Sequence, residues 1–121
     1  MPKLLLVEDD ALNREMLLRR LQRKGFDVIV AVDGEQAVEM AKQILPDLIL
    51  MDMQLPKVNG WEATKRLKSG QDTGKIPIVA LTAHAMPEDR QRCLEAGCDA
   101  YQTKPVEFDS LIATINELLQ L

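Results

Sequence analysis

Three apolar runs and one weaker one lead into residues able to do chemistry. Leu4–Val7 is followed by Glu8-Asp9-Asp10, Leu48–Met51 by Asp52, Ile76–Leu81 by Thr82, and the weaker Asp99–Gln102 by Lys104-Pro105. A carboxylate such as Asp52, set against a core, is costly unless something pairs it or uses it. Several carboxylates gathered in one partly desolvated pocket would repel one another strongly. A lysine can pair with one of them, and a hard divalent cation can sit among their oxygens. Mg²⁺ suits that place, because it accepts a few protein oxygens, keeps several waters and readily shares a phosphate oxygen. The chemistry implied is phosphate handling, although the chain has no glycine-rich phosphate-binding loop.

These residues act together only if the chain brings the ends of the runs to one place. Segments of helical periodicity lie between the runs. Ala11 to Lys24 carries Leu12, Met16, Leu17 and Leu21 on a helical repeat, with Gly25 as a stop. Asp33-Gly-Glu-Gln36 and Asn59-Gly-Trp-Glu62 have the form of capping boxes, opening helices that reach about Leu45 and Ser69. Pro87 suits the first turn of a helix that Gly97 ends, and a last helix runs from about Glu107 to Leu119. With Val28–Val32 as a further strand, strand and helix alternate five times. That pattern predicts an α/β fold, a doubly wound parallel sheet covered on both faces. In such sheets the functional crevice lies beyond the carboxyl ends of the strands. Glu8, Asp9, Asp52, Thr82 and Lys104 all fall at that edge, whereas Lys3, Asp27, Asp47 and Lys75 at the opposite ends read as solvated residues.

Composition narrows the function. At 121 residues the chain is expected to form one domain, 1–121, with no output domain attached. A net charge of −4 gives no standing attraction to nucleic acid or an anionic membrane, so neither is an expected partner. No apolar stretch approaches the roughly 20 residues of a membrane span, and the expected location is the cytoplasm. Cys93 and Cys98 lack the spacing and companions of a metal set, and read as small reduced core side chains.

The stretches "LLLVEDD" (4–10), "DLILMDMQLPKVNG" (47–60), "IPIVALTAHA" (76–85) and "AGCDAYQTKP" (96–105) together resemble the receiver domains of two-component response regulators, particularly the stand-alone, chemotaxis-receiver-like kind. The likeness spans essentially the whole chain, in order and in register. It implies a flavodoxin-like (βα)5 fold with strand order 2-1-3-4-5. It also implies that Asp52 accepts a phosphoryl group from a phosphohistidine on a sensor histidine kinase or a histidine phosphotransfer protein. Asp9, Asp52 and the Gln54 backbone carbonyl would bind Mg²⁺ directly, and Glu8 mainly through a water. Lys104 and Thr82 would contact phosphoryl oxygens, with a cis peptide before Pro105 orienting the lysine. Gln54 and His84, two residues beyond Asp52 and Thr82, would tune phosphate lifetime. Thr82 and Tyr101 would form a switch that alters a docking face on the fourth helix, fifth strand and fifth helix, from Pro87 to Leu94, through Tyr101, to the start of the last helix. A downstream protein partner would bind there.

On this reading the protein catalyses only its own phosphorylation and dephosphorylation and is not otherwise an enzyme. The wording Thr82-Ala-His-Ala-Met86 resembles receivers of hybrid kinases and phosphorelays, so the alternative is an intermediate that passes phosphate onward. A nucleotide- or flavin-binding protein would need a glycine- or hydroxyl-rich loop after the first strand, where this chain has Glu-Asp-Asp. A phosphatase of the haloacid dehalogenase type would carry an acid two residues after the nucleophile, where this chain has Gln54. A pseudo-receiver would lack some of Asp9, Asp52, Thr82 and Lys104.

Overall fold

A computed structural model describes residues 1–83 and 86–120. The elements alternate as β1 (Lys3–Val7), α1 (Ala11–Arg23), β2 (Asp27–Ala31), α2 (Gly34–Ile44), β3 (Leu48–Asp52), α3 (Gly60–Ser69), β4 (Ile78–Thr82), α4 (Pro87–Ala96), β5 (Ala100–Thr103) and α5 (Phe108–Leu119). The strands form one parallel sheet, as the alternation predicts, in the order β2-β1-β3-β4-β5 that the resemblance implies.

The unbroken apolar runs divide their side chains by alternation. Leu5, Val7, Ile49, Met51, Ile78 and Ala80 pack on one face with Ala37 and Ala41 of α2, Ala63 and Leu67 of α3, and Cys93 of α4. Leu4, Leu6, Leu48, Leu50, Val79 and Leu81 pack on the other with Leu17 and Leu21 of α1 and Leu111 and Ile115 of α5. Strands buried on both faces need no polar alternation, which is why these runs are continuous.

The helix starts follow the cap residues. Asp33 Oδ1 accepts from the Gln36 backbone, and the Gln36 side chain returns to the backbone nitrogen of Val32, one residue before the cap. Asn59 accepts from Glu62 N, but the Glu62 carboxylate turns to Arg66, so the second box is only half formed. Gly97, at φ 104°, closes α4 in a left-handed turn, with Gly97 N donating to Leu94 O and Cys98 N to Cys93 O. Burial pushes the thiol of Cys93 up, and that of Cys98 up to about 12, consistent with inert core thiols.

Strand limits move by a residue or two from the apolar runs. Pro77 has no N–H to give a ladder, and β4 begins at Ile78 rather than Ile76. Asp99 stays outside β5, because its carboxylate accepts from Ile78 N and Lys68 Nζ, both at 2.8 Å. Ser69 closes α3, and the rest of the polar stretch, 70–75, is a turn that buries Thr73, whose hydroxyl donates to Leu67 O at 2.6 Å.

Candidate functional site

Three residues, Glu8 to Asp10, join β1 to α1, and the three acids are placed differently. Asp10 caps α1, its Oδ1 accepting from Leu12 N at 2.9 Å and Asn13 N at 3.2 Å. Glu8 turns inward and is 1% exposed, while Asp9 remains exposed. Asp52 ends β3 and is also 1% exposed. Its Oδ1 accepts from Gln54 N at 3.0 Å, which orients the carboxyl group. Gly60 opens α3 close against this strand end: a Cβ there would collide with the Asp52 carbonyl and stand 2.6 Å from the Met53 Cα.

Lys104 reaches in from the end of β5. Its backbone nitrogen donates to Thr82 O at 2.7 Å, and the Lys104–Pro105 peptide is cis, as the resemblance implies. The ammonium lies 3.1 Å from Asp52 Oδ2 and 3.1 Å from Glu8 Oε1. The sequence predicts a pairing with one acid, and the lysine serves two. Glu8, Asp9 and Asp52 each place a carboxylate oxygen within 4.8 Å of the others. Thr82 is fully buried at the end of β4.

The electrostatics follow from this crowding. Burial, then the hydrogen bond and charge of Asp52, push the Glu8 carboxyl up to about 7, and Lys104 only partly opposes them. Burial pulls the Lys104 ammonium down, but the charge and hydrogen bond of Asp52, joined by those of Glu8, outweigh it and hold its pKa above the ordinary value. With all three carboxylates ionised, one ammonium leaves two negative charges uncompensated. An oxygen-only donor set with that deficit fits a hard divalent cation, and Mg²⁺ in particular.

The other expected site residues are Gln54, Tyr101 and His84. Gln54 crosses from the β3–α3 loop toward β4, its Oε1 3.4 Å from Ala83 N. Its Nε2 is buried and has no hydrogen-bond partner among the described residues. Tyr101 is half-buried on β5, packed against the α2–α3–α4 face of the core, with the Arg90 guanidinium 5.8 Å from its ring centre. His84 lies outside the described residues. A cleft of about 430 Å³ leads to Glu8 and Lys104 between Met16 and Leu17 of α1 and Pro105-Val106. Sequence reading passes over Arg14, whose Nη1 donates to Glu8 O at 3.0 Å and Asp9 O at 3.4 Å. The only cue to it is its place four residues after the Asp10 cap.

The family model of the response regulator receiver domain matches residues 4–116. The chain belongs to the response regulator receiver family. The polar-differentiation response regulator DivK of Brucella anthropi is 41% identical over 120 residues, covering 98% of each chain. The receiver domain of the sensor histidine kinase PA1611 of Pseudomonas aeruginosa, crystallised with a magnesium ion coordinated in its active-site cleft, superimposes with a TM-score of 0.93 at 35% identity, covering 99% of this chain and 98% of that one. The receiver domain of the Saccharomyces cerevisiae response regulator Ssk1, crystallised with the histidine phosphotransfer protein Ypd1, gives a TM-score of 0.91 at 32% identity, covering 97% and 88%. Among the described residues of this receiver, no helix is long and apolar enough to cross a membrane.

Proposed function

We propose that this receiver takes a phosphoryl group onto Asp52 from a phosphohistidine on a histidine kinase or phosphotransfer protein, and thereby alters a surface that docks a further protein. The observation that carries this reading is the shared lysine. Lys104 sits 3.1 Å from both Asp52 and Glu8, in a cluster that also includes Asp9.

An oxygen of the ionised Asp52 carboxylate attacks phosphorus as the phosphorus–nitrogen bond of the donor breaks. The imidazole leaves with that electron pair and takes a proton from solvent. Such a transfer passes through a loose transition state, so the protein contributes position and charge rather than covalent help. Asp52 is aimed by Gln54 N, and Lys104 can turn from its carboxylate to an arriving phosphoryl oxygen. The Thr82 hydroxyl and the unpartnered Gln54 Nε2 are donors for other phosphoryl oxygens. Asp9, Asp52 and the Gln54 carbonyl would hold Mg²⁺, with Glu8 acting through a water. Bound there, Mg²⁺ neutralises charge on the acids and on the transferring group.

In this reading Gln54 and His84 tune how long the acyl phosphate lasts. Phosphorylation draws the buried Thr82 hydroxyl toward the new phosphoryl oxygens and lets the half-buried Tyr101 turn further in, changing the α4–β5–α5 face, where the downstream protein docks. Neither nucleic acid nor a membrane is a partner, and the protein works in the cytoplasm. The receiver turns over no external substrate, and with Gln54 two residues beyond Asp52 it has no general acid of the dehalogenase kind. Onward transfer to a second histidine uses the same step in reverse. It is the alternative outcome, suggested by the Thr82-Ala-His-Ala-Met86 wording and by the likeness to the receiver of the sensor histidine kinase PA1611.

The test is intact mass after incubation with acetyl phosphate and Mg²⁺. One adduct of roughly 80 Da, abolished by EDTA and by Asp52→Asn, supports the proposal. Steady phosphate release from simple esters with no adduct would contradict it.

A further inference from the structure

We infer that Arg14 is a positioning residue for the acidic cation site, acting through the backbone of the loop that carries Glu8 and Asp9. The inference rests on the reading of Glu8, Asp9 and Asp52 as that site.

The β1–α1 connection has only three residues, and they must send two carboxylates into the site while a third caps the helix. Glu8 is held directly. Its N–H donates to Ala31 O at 3.1 Å, and its carboxylate receives Lys104 Nζ at 3.1 Å and Asp10 N at 3.3 Å. Asp9 has no such hold. Among the described residues no hydrogen bond or ion pair fixes its carboxylate, and the residue is exposed. The direction in which that side chain leaves the backbone is therefore set by the peptide planes on either side of it. Arg14 binds both of those planes from outside the site. Its single Nη1 donates to Glu8 O at 3.0 Å and to Asp9 O at 3.4 Å, from one turn inside α1. With both carbonyls turned toward the guanidinium, the loop presents its carboxylates, not its carbonyls, to the cluster. Lysine is shorter, and its freely rotating ammonium is not fixed in a plane as Nη1 is, so it can keep the charge without holding both carbonyls.

Two effects of opposite sign compete at this position, which makes the test sharp. If Arg14 works by holding the loop, removing it weakens cation binding, as losing a group that orients metal ligands commonly does by 10- to 100-fold. If it is only a nearby positive charge, removing it tightens binding, because a like charge has gone. If it is only a surface clasp for α1, binding does not change and only folding stability falls.

The experiment titrates Mg²⁺ into the purified receiver and into Arg14→Ala and Arg14→Lys, following binding by calorimetry and by Trp61 emission. Thermal unfolding in EDTA is recorded for all three. The expected result is a loss of Mg²⁺ affinity of about tenfold for Arg14→Ala, and an intermediate loss for Arg14→Lys. Arg14→Lys unfolds in EDTA as the parent does. Unchanged or tighter binding in both variants overturns the inference, as does a lowered unfolding temperature with unchanged affinity. Should Arg14→Ala fail to fold, Arg14→Lys alone decides by the same criterion. Failure of the unsubstituted receiver to bind Mg²⁺ would overturn the cation site itself and this inference with it, and is distinguishable from a failure confined to the variants.

Discussion

Acids stand at both edges of the sheet, and the chain treats them in opposite ways. At the amino edge, Asp47 accepts from the backbone nitrogen of Lys3 at 2.7 Å, and Asp99 accepts from Ile78 N and Lys68 Nζ at 2.8 Å. Each is a staple between neighbouring strands, and among the described residues neither belongs to a cluster of three or more acids. At the carboxyl edge, Glu8, Asp9 and Asp52 crowd within 4.8 Å around one lysine. The residue types are the same, and the difference is compensation. Backbone N–H groups donate to Asp52 and Glu8 as well, from Gln54 and Asp10, but these carboxylates must share one cation and so remain short of positive charge, where Asp47 and Asp99 do not.

The largest effect that would sharpen this contrast is on phosphoryl uptake. Asp52→Asn is expected to remove the acetyl phosphate adduct completely, whereas Asp99→Asn retains it. Intact mass reads both, and loss of the adduct in Asp99→Asn alone would break the contrast.

The next effect is in pH dependence. Glu8 is raised from 4.5 to about 7 in the folded protein, so its contribution to stability is fully present below 4.5 and is lost as the pH climbs through 7. At about 1.4 kcal/mol per pH unit this is on the order of 3 kcal/mol. Urea unfolding in EDTA is therefore expected to show stability falling from pH 5 to 8, with the slope much reduced in Glu8→Gln. Mg²⁺ at pH 8 is expected to restore stability in the parent.

Asp99→Ala, which strands Ile78 N, is expected to cost about 2 kcal/mol in urea unfolding while leaving Mg²⁺ affinity unchanged. The smallest effect expected is from Asp10→Ala. It removes the α1 cap for about 1 kcal/mol, and a large loss of Mg²⁺ affinity there would mean that Asp10 belongs to the cluster.

Much of this was legible in the sequence because the fold writes itself in periodicity. Runs such as Leu48–Met51, too short for a helix and apolar throughout, can only be strands covered on both sides. The rule that parallel sheets gather their strand ends then brought Glu8, Asp9, Asp52, Thr82 and Lys104 together. Details decided by side chains competing for one partner were not legible. Nothing local distinguishes Asp10 as the cap from Asp9 as a free carboxylate, since both follow the same strand. The half-formed box at Asn59 reflects Glu62 choosing Arg66 over the backbone, a choice between two weak bonds. Asp99 and Arg14 act on backbone atoms brought near by tertiary folding, which no spacing rule records. Lys104 serving two acids follows from Glu8 being turned inward, a rotamer choice that periodicity does not encode.

The central claim is that, among three neighbouring carboxylates, Asp52 is the one that carries the phosphoryl group. Borohydride reduction of the acetyl phosphate-treated protein converts a phosphorylated aspartate to homoserine, and peptide mapping then locates it. Homoserine is expected at position 52, with an unmodified peptide containing Glu8 and Asp9. Reduction at Asp9 instead, or at no aspartate despite a phosphoryl adduct, would contradict it.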